Sequence, residues 1–331
     1  MSRTVLVTGV ARRFASAVAR HLADLADADP DSGVSRVIGV DTVVPDEDLG
    51  GVKFVRADIR TPVVGKVIAV EDVDTVVHLD VNPGSRNRLS GSSSKELNVI
   101  GTMQLLAACQ RSSTVTKVVL GSSTAVYGTS PRDPAMFRES MAARGGVRSG
   151  FPKDAVDVES YTRGFARRRP DVLITILRTA QALDPDLEMP LSAYLRNPVL
   201  PVVAGYDPRL QFAHVEDLLA VFTESVTHDR PGTFNVAGDG VIMLSQAARR
   251  LGRPTLPLPA LGFAGALNRI AHAAGSDISP DLHRLLKYGR AVDTSALRDI
   301  FGYEPKYTTA DVFEQFRQQV RPGILAGIGV R

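Results

Sequence analysis

Short runs of Val, Ile and Leu alternate with helix-length segments along the first 180 residues, and this alternation constrains the fold more than any other feature. "TVLVTG" is followed by an apolar-periodic stretch from about Phe14 to Leu25. "SRVIGVD", "VKFVRADI" and "VDTVVHLD" come next, then a Leu/Ala-rich segment, "NVIGTMQLLAACQ", and then "TKVVLGSS". A further helical pattern spans about Asp154 to Arg168, ahead of "VLITILR". Runs apolar on both faces suit strands covered by helices on both sides. The alternation therefore predicts an α/β fold, a Rossmann-type doubly wound parallel sheet with at least six strands before Arg178.

Beyond Arg178 the punctuation changes to Pro and Gly ("DPDLEMPLSAYLRNPVLPVVAGYDPR"), with one more strand-like run, "GTFNVAG", near Phe234. These shifts predict a sheet domain over 1–180 to which 211–244 returns. They also predict a smaller, discontinuous C-terminal lobe from 181–210 and 245–331. The polar stretch "LSGSSSKE" (Leu89 to Glu96) reads as a connection.

Composition narrows the functional classes. Over 331 residues the formal net charge is only +3, and no long basic run is interleaved with aromatics, so the charge pattern gives no sign of nucleic-acid binding. The single Cys109 excludes an intrachain disulfide and fits a reducing compartment. The first strand begins almost at once, and no apolar run approaches the roughly 18 residues of a membrane span. The expectation is a cytoplasmic protein without a membrane segment. His21, His78, His214, His228, His272 and His283 show no paired ligand spacing, so no metal site is expected. "RRRP" at Arg167 reads as the solvated, dipole-favoured end of a helix.

In an open parallel sheet, ligands sit beyond the carboxyl ends of the strands. After the first run come Thr8, Gly9, Val10, Ala11 and Arg12. Asp41 follows the second, where an acid bonds an adenosine ribose and repels a 2′-phosphate. Asp58 in "RADIR" follows the third, His78-Leu79-Asp80 the fourth, and Ser122, Ser123 and Thr124 the fifth. One such residue means little, since a Gly after a strand is mostly a turn and an Asp mostly a cap. Their recurrence at consecutive strand ends points to a nucleotide site.

These stretches resemble the extended short-chain dehydrogenase/reductases, in particular the NAD-dependent epimerases and dehydratases of nucleotide sugars such as UDP-glucose 4-epimerase. "VLVTG" resembles the cofactor loop, "GVD" at Gly39 the ribose-binding strand end and "RADIR" the adenine side. "VDTVVHL" at Val73 resembles the strand beneath the nicotinamide, and "LNVIGTMQLLAAC" the central helix with its structural Asn98. "VVLGSSTAVYG" resembles the active-site strand, with Ser123 as the substrate-hydroxyl ligand. "FAHVEDL" and "DTSALRDIFGYEPK" resemble segments of the substrate lobe. The resemblance implies NAD as cofactor, held around Gly9, Ala11, Arg12, Phe14, Ala15, Asp41, Asp58, Ile59, Leu79, Asp80, Asn98 and Ser122. It also implies a nucleotide or nucleotide sugar as small-molecule partner, and a homodimer.

Two departures qualify that implication. The family carries glycines where this chain has Arg12 and Ala15. Ala15 adds one methyl; Arg12 either pairs with a phosphate in place of lost backbone contacts or is a surface residue beside a weakened loop. Second, the family sets a Tyr and a Lys one helical turn apart, the Lys lowering the phenol's pKa. Alignment on "VESYTRGFARRRPDVLITILR" puts Phe151 at the Tyr position and Ala155 at the Lys position, so both reactive groups are missing. Lys153 lies on another face of that helix, Tyr161 has no Lys four residues on and reads as packing, and Tyr127 reads as a wall residue. Asp80 is either a substitute acid/base or a carboxylate bonded to nearby backbone. The sequence thus leaves a binding protein with a degenerate site, catalytically impaired, beside an active epimerase, dehydratase or reductase that uses Ser123 and Asp80.

Overall fold

The computed structural model describes residues 2–81, 95–141, 150–184, 189–273 and 280–323. Most of the polar stretch Leu89 to Glu96 lies outside them. The chain divides into two compact units. One comprises Met1–Val126, Phe151–Arg178 and Leu218–Phe234, and the other Tyr127–Gly150, Thr179–Asp217 and Asn235–Arg331. Residues 127–150 group with the second unit because Phe137 bridges to Val292 and the Tyr127 hydroxyl donates to Asn235 Oδ1 at 2.7 Å.

The first unit is built on a seven-stranded sheet. Its strands are β1 (Arg3–Thr8), β2 (Val34–Asp41), β3 (Lys53–Arg56), β4 (Thr75–His78), β5 (Lys117–Ser123), β6 (Leu173–Thr179) and a last strand, Gly232–Val236. Their order across the sheet is Gly232–Val236, β6, β5, β4, β1, β2, β3. β1 pairs in parallel with β2 and β4, β2 with β3, and β4 with β5. Strand order therefore reverses at β1, which places its carboxyl end at the switch point. In register, Thr8 is level with both Val40 and His78.

Helices α1 (Arg13–Ala28), α2 (Val63–Val70), α3 (Gly101–Arg111) and α4 (Phe151–Arg168) belong to this unit. α1 is amphipathic and buries Ala15, Val18, Ala19, Leu22 and Ala23. α3 is entered through a π-type turn at Glu96–Ile100 and buries Leu105, Leu106 and Cys109 in one core with Ile38, Val76 and Phe165. The cysteine is fully buried, and that burial pushes its thiol pKa up to about 12, so it packs as a small hydrophobe. α4 begins three residues earlier than the apolar pattern suggested, so Phe151 opens its first turn. Arg167 and Arg168 close its last turn, where cations complement the helix dipole.

The second unit has its own core, built on Tyr194, Phe212, Leu286, Phe313 and Phe316. Two-stranded ladders edge it: Phe212–Ala213 with Gln181–Ala182, Ile242–Met243 with Arg209–Leu210, and Thr255–Leu258 with Leu200–Val203. No helix among the described residues is long and apolar enough to cross a membrane.

Candidate dinucleotide site and a cavity in the second unit

At the switch point β1 ends in Thr8 and turns at Gly9, whose φ of +79° is a left-handed conformation that glycine adopts freely. Its amide donates to Val40 O at 2.9 Å. A Cβ on Gly9 would stand 3.1 Å from Asp80 Cβ, so the turn also packs closely on the residue after β4. The next turn is fixed from β2: the Ala11 amide donates to Asp41 Oδ2 at 2.9 Å, and the Val43 amide to Asp41 Oδ1 at 3.2 Å. One carboxylate thus sets both the loop and the strand end.

Arg12 occupies the residue just before α1 with φ −96° and ψ 136°, an ordinary extended backbone. Nothing at this position requires glycine, so the substitution costs no backbone strain. Its Nε lies 3.3 Å from Asp80 Oδ1, with both side chains about one-fifth exposed (22% and 20%). No side chain caps the start of α1, and its first turn carries no acid. Ala15 is buried within α1, and Phe14 directs its ring against Phe222 at a centroid distance of 5.6 Å. The Phe14 ring is therefore committed to packing.

Beneath the loop runs a neutral hydrogen-bond chain. The Leu79 amide donates to Thr8 Oγ1 (3.2 Å), and Thr8 Oγ1 lies 2.8 Å from His78 Nδ1. His78 Nε2 lies 2.8 Å from Thr102 Oγ1, which donates to Asn98 O. The Thr102 proton is committed to that carbonyl, so Nε2 must carry a proton and Nδ1 must accept one from Thr8. Burial alone pushes the His78 pKa down to about 4, so the ring is neutral. The histidine joins β1, β4 and α3 and is not an acid/base group.

Asp58 is held by Arg60: its Oδ1 accepts the Arg60 amide at 2.8 Å, and the guanidinium bonds both oxygens at 2.6–3.0 Å. Burial acts to raise the Asp58 pKa, but the Arg60 bonds outweigh it and hold the carboxyl below its usual range. Arg60 also feels the charges of Glu96 and Asp80. The sequence reading missed this cation, although an Asp at a strand end is a turn signal whose side chain takes the amide two residues on, here that of Arg60. Ile59 packs under Gly101, where a Cβ would meet its Cδ1 at 2.8 Å.

On the far side of β4 the chemistry is ionic. Ser122 Oγ donates to Glu159 Oε1 at 2.7 Å, and Arg178 holds both Glu159 oxygens at 2.9 and 2.8 Å. Arg163 joins from the same helix. Glu159 and Arg178 are buried to 1% and 4% exposure, and the pair went unread in the sequence because its partners lie 19 residues apart. Burial acts to raise the Glu159 pKa, and the Arg178 bond and charge reverse that to a net lowering. Ser123 is half-buried, and its hydroxyl accepts the Ala125 amide at 3.2 Å.

Along the first turns of α4, Phe151 is half-buried and Ala155 wholly buried. Between them, Asp154 Oδ2 accepts from Asn98 Nδ2 at 3.2 Å, and burial raises the Asp154 pKa despite that bond. Lys153 is tied to Asp157 one turn on. Tyr161, read from sequence as packing, is instead 41% exposed. Tyr127, read as a wall residue, is buried, with its hydroxyl committed to Asn235 and its ring stacked 4.7 Å from Phe137. No cluster of potential metal ligands occurs among the described residues.

The second unit contains a cavity of about 340 Å³ lined by residues from 130–137, 205–209 and 287–291. Tyr206 and Tyr288 meet edge to face at 5.8 Å, and Lys287 Nζ stands 4.9 and 5.0 Å from their ring centres. Its hydrogen bond with Tyr288 holds the Lys287 pKa above the usual value, so the amine is cationic. Arg209 lies on the same wall. Gly289, at φ +71°, is required there: a Cβ would stand 2.5 Å from Arg209 O. Arg290 is turned inward onto Asp281 Oδ1 (2.8 Å) and Gly128 O (3.1 Å).

The arrangement at the switch point is that of a dinucleotide-binding protein. The model of the NAD dependent epimerase/dehydratase family matches residues 5–237, and the chain belongs to that family. An uncharacterized protein of Mycobacterium tuberculosis is 41% identical over 320 residues, covering 95% of this chain and 83% of its own length. Among solved structures, the dTDP-glucose 4,6-dehydratase DesIV of Streptomyces venezuelae, with NAD and TYD bound, is similar at a TM-score of 0.71. It is 21% identical and matches over 95% of this chain and 96% of its own. The UDP-glucuronic acid 4-epimerase of Bacillus cereus, in complex with UDP-glucuronic acid and NAD, gives a TM-score of 0.70. Its identity is 18%, over 96% and 99% of the two chains.

NAD is the cofactor of this family, and the residues present fit it. A left-handed glycine turn leads to a helix start without an acid or a side-chain cap, which suits a pyrophosphate. Asp41, a carboxylate at the end of β2 oriented by the Ala11 and Val43 amides, is the acceptor that would hold ribose hydroxyls.

Proposed function

We propose that the chain binds NAD(H) at the carboxyl end of β1 and a nucleotide or nucleotide sugar in the cavity of the second unit, and is catalytically impaired in the proton transfer of its family. The observation that carries this reading is the pairing of Phe151 and Ala155 on α4: one half-buried without a hydroxyl, the other wholly buried without a charge. Bound NAD would supply a hydride acceptor. Oxidation of a sugar hydroxyl also needs a base for its proton, and neither position provides one. The alternative, catalysis through Ser123 and Asp80, is not favoured by their contacts: Asp80 faces Arg12, and the Ser123 hydroxyl accepts a backbone amide.

In this reading Asp41 takes the adenosine ribose and Asp58 the adenine amino group. The loop from Gly9 to Ala15, with Leu79 and Asp80, surrounds the phosphates, while Asn98 and Ser122 hold the strand ends in place. Asp41 favours NAD over NADP by charge. Two tyrosine rings with a lysine and an arginine beside them suit a base and its phosphates. A homodimer is expected on resemblance.

The test is direct. The purified protein is examined for bound NAD by absorbance and mass, and its melting temperature is followed with NAD at millimolar concentration, where a rise is expected. Interconversion of UDP-glucose and UDP-galactose is then assayed, with Phe151→Tyr/Ala155→Lys as the gain-of-function control. Robust turnover by the unmodified protein overturns the impaired reading; no thermal response to NAD overturns the cofactor reading.

A further inference from the structure

The two departures at the phosphate loop are in contact with each other. Arg12 stands where the family carries a glycine, and its Nε faces Asp80 Oδ1 at 3.3 Å. Asp80 is also the residue packed directly on Gly9, so its carboxylate lies beside the turn that leads to the start of α1. An anion at a helix N-terminus is favoured by the dipole, but a fixed carboxylate next to that position repels a phosphate arriving there. The same guanidinium suits either anion, since its planar donors match carboxylate and phosphate oxygens alike. Both side chains are partly exposed, so the pair can be exchanged without first opening a core.

We propose that Asp80 is an internal competitor for the cofactor's pyrophosphate: NAD binding exchanges the Asp80 carboxylate on Arg12 for a phosphate oxygen. Arg12 is then a phosphate-binding residue, and Asp80 sets how tightly the phosphates are held. Arg60 is the nearby cation that receives the displaced charge, since it already feels Asp80 while bonded to Asp58. The inference rests on the proposed NAD site and deepens it. It predicts a dinucleotide that is held more loosely than the loop alone would allow.

Binding of NAD, ADP-ribose and adenosine is measured by calorimetry for the unmodified protein, Asp80→Asn and Arg12→Ala, with circular dichroism to verify that each is folded. Asp80→Asn retains the packing on Gly9 and is expected to bind NAD and ADP-ribose about tenfold more tightly. Arg12→Ala is expected to bind both about tenfold more weakly. Adenosine, which has no phosphate, is expected to bind all three alike. Unchanged or weaker NAD binding by Asp80→Asn, or an equal shift for adenosine, overturns the exchange while leaving the NAD site standing. Tighter binding by Arg12→Ala overturns it too, by making the arginine an obstacle. If none of the three proteins binds any of the three ligands, the NAD site and the exchange fall together.

Discussion

The two sides of β4 are held together by opposite chemistry. On the β1 side, Leu79, Thr8, His78, Thr102 and Asn98 form a chain of uncharged donors and acceptors. On the β5 side, Ser122, Glu159 and Arg178 form a buried ionic knot between β5, α4 and β6. The neutral side supports a site in which backbone and loop do the binding. The ionic side supports the strand and helix from which reactive side chains would act, and there Phe151 and Ala155 are inert. Glu159 and Arg178, with Ser122 and Arg163, anchor the β5 side, and that ionic knot takes no group from the positions one and two turns before Glu159.

The largest expected effect comes from breaking the ionic side. Glu159→Ala or Arg178→Ala breaks the buried ion pair and should cost about 3–5 kcal/mol in urea denaturation. A loss below about 1 kcal/mol would show that water reaches the pair and would erase the contrast.

Acid should distinguish the two sides next. The folded-state pKa of His78 lies below its unfolded value, so its stabilisation is complete above pH ~6.5 and is lost as the pH falls toward about 4. That loss is about 3 kcal/mol. Glu159, whose pKa is also lowered, contributes above the ordinary carboxylate range and is lost only below it. Urea titrations from pH 7 to 4 should therefore show a slope that His78→Gln removes. Amide exchange at Leu79 should rise before exchange at Ser122. The reverse order would contradict the assignment.

Asp41→Ala is expected to weaken NAD binding about 10- to 100-fold, since it removes the ribose acceptor and releases the Ala11 amide. Calorimetry measures it. The smallest effect is expected from Lys153→Ala. Its partly exposed pair with Asp157 one turn on is worth under about 0.5 kcal/mol, and NAD binding should not change. A tenfold or greater loss of NAD affinity on that substitution would make Lys153 the substitute cation that the helix geometry argues against.

Much of the fold is legible because the signals are local. The six apolar runs before Arg178 are the strands β1 to β6; Asp41 ends β2, Asp58 lies two residues beyond β3, and Leu79-Asp80 follow β4 directly. The contacts are another matter. Spacing does not tell that Arg60 stands on both oxygens of Asp58, nor that the Phe14 ring packs on Phe222. Glu159 attracts no notice in a polar helical stretch, although burial and Arg178 make it the anchor of β5. Tyr161 follows the apolar pattern of α4, yet it is exposed, because periodicity gives a face only to within about a residue.

Strand–helix alternation, the switch-point glycine and the presence of Phe at 151 and Ala at 155 are written in the chain itself, since each depends on residue type and near-neighbour spacing. Which proton His78 carries, whether Arg12 strains its backbone, and which anion its guanidinium meets were decided only by the folded structure. Those answers depend on groups that are 24 to 70 residues apart and meet only when parallel strands bring their ends to one place.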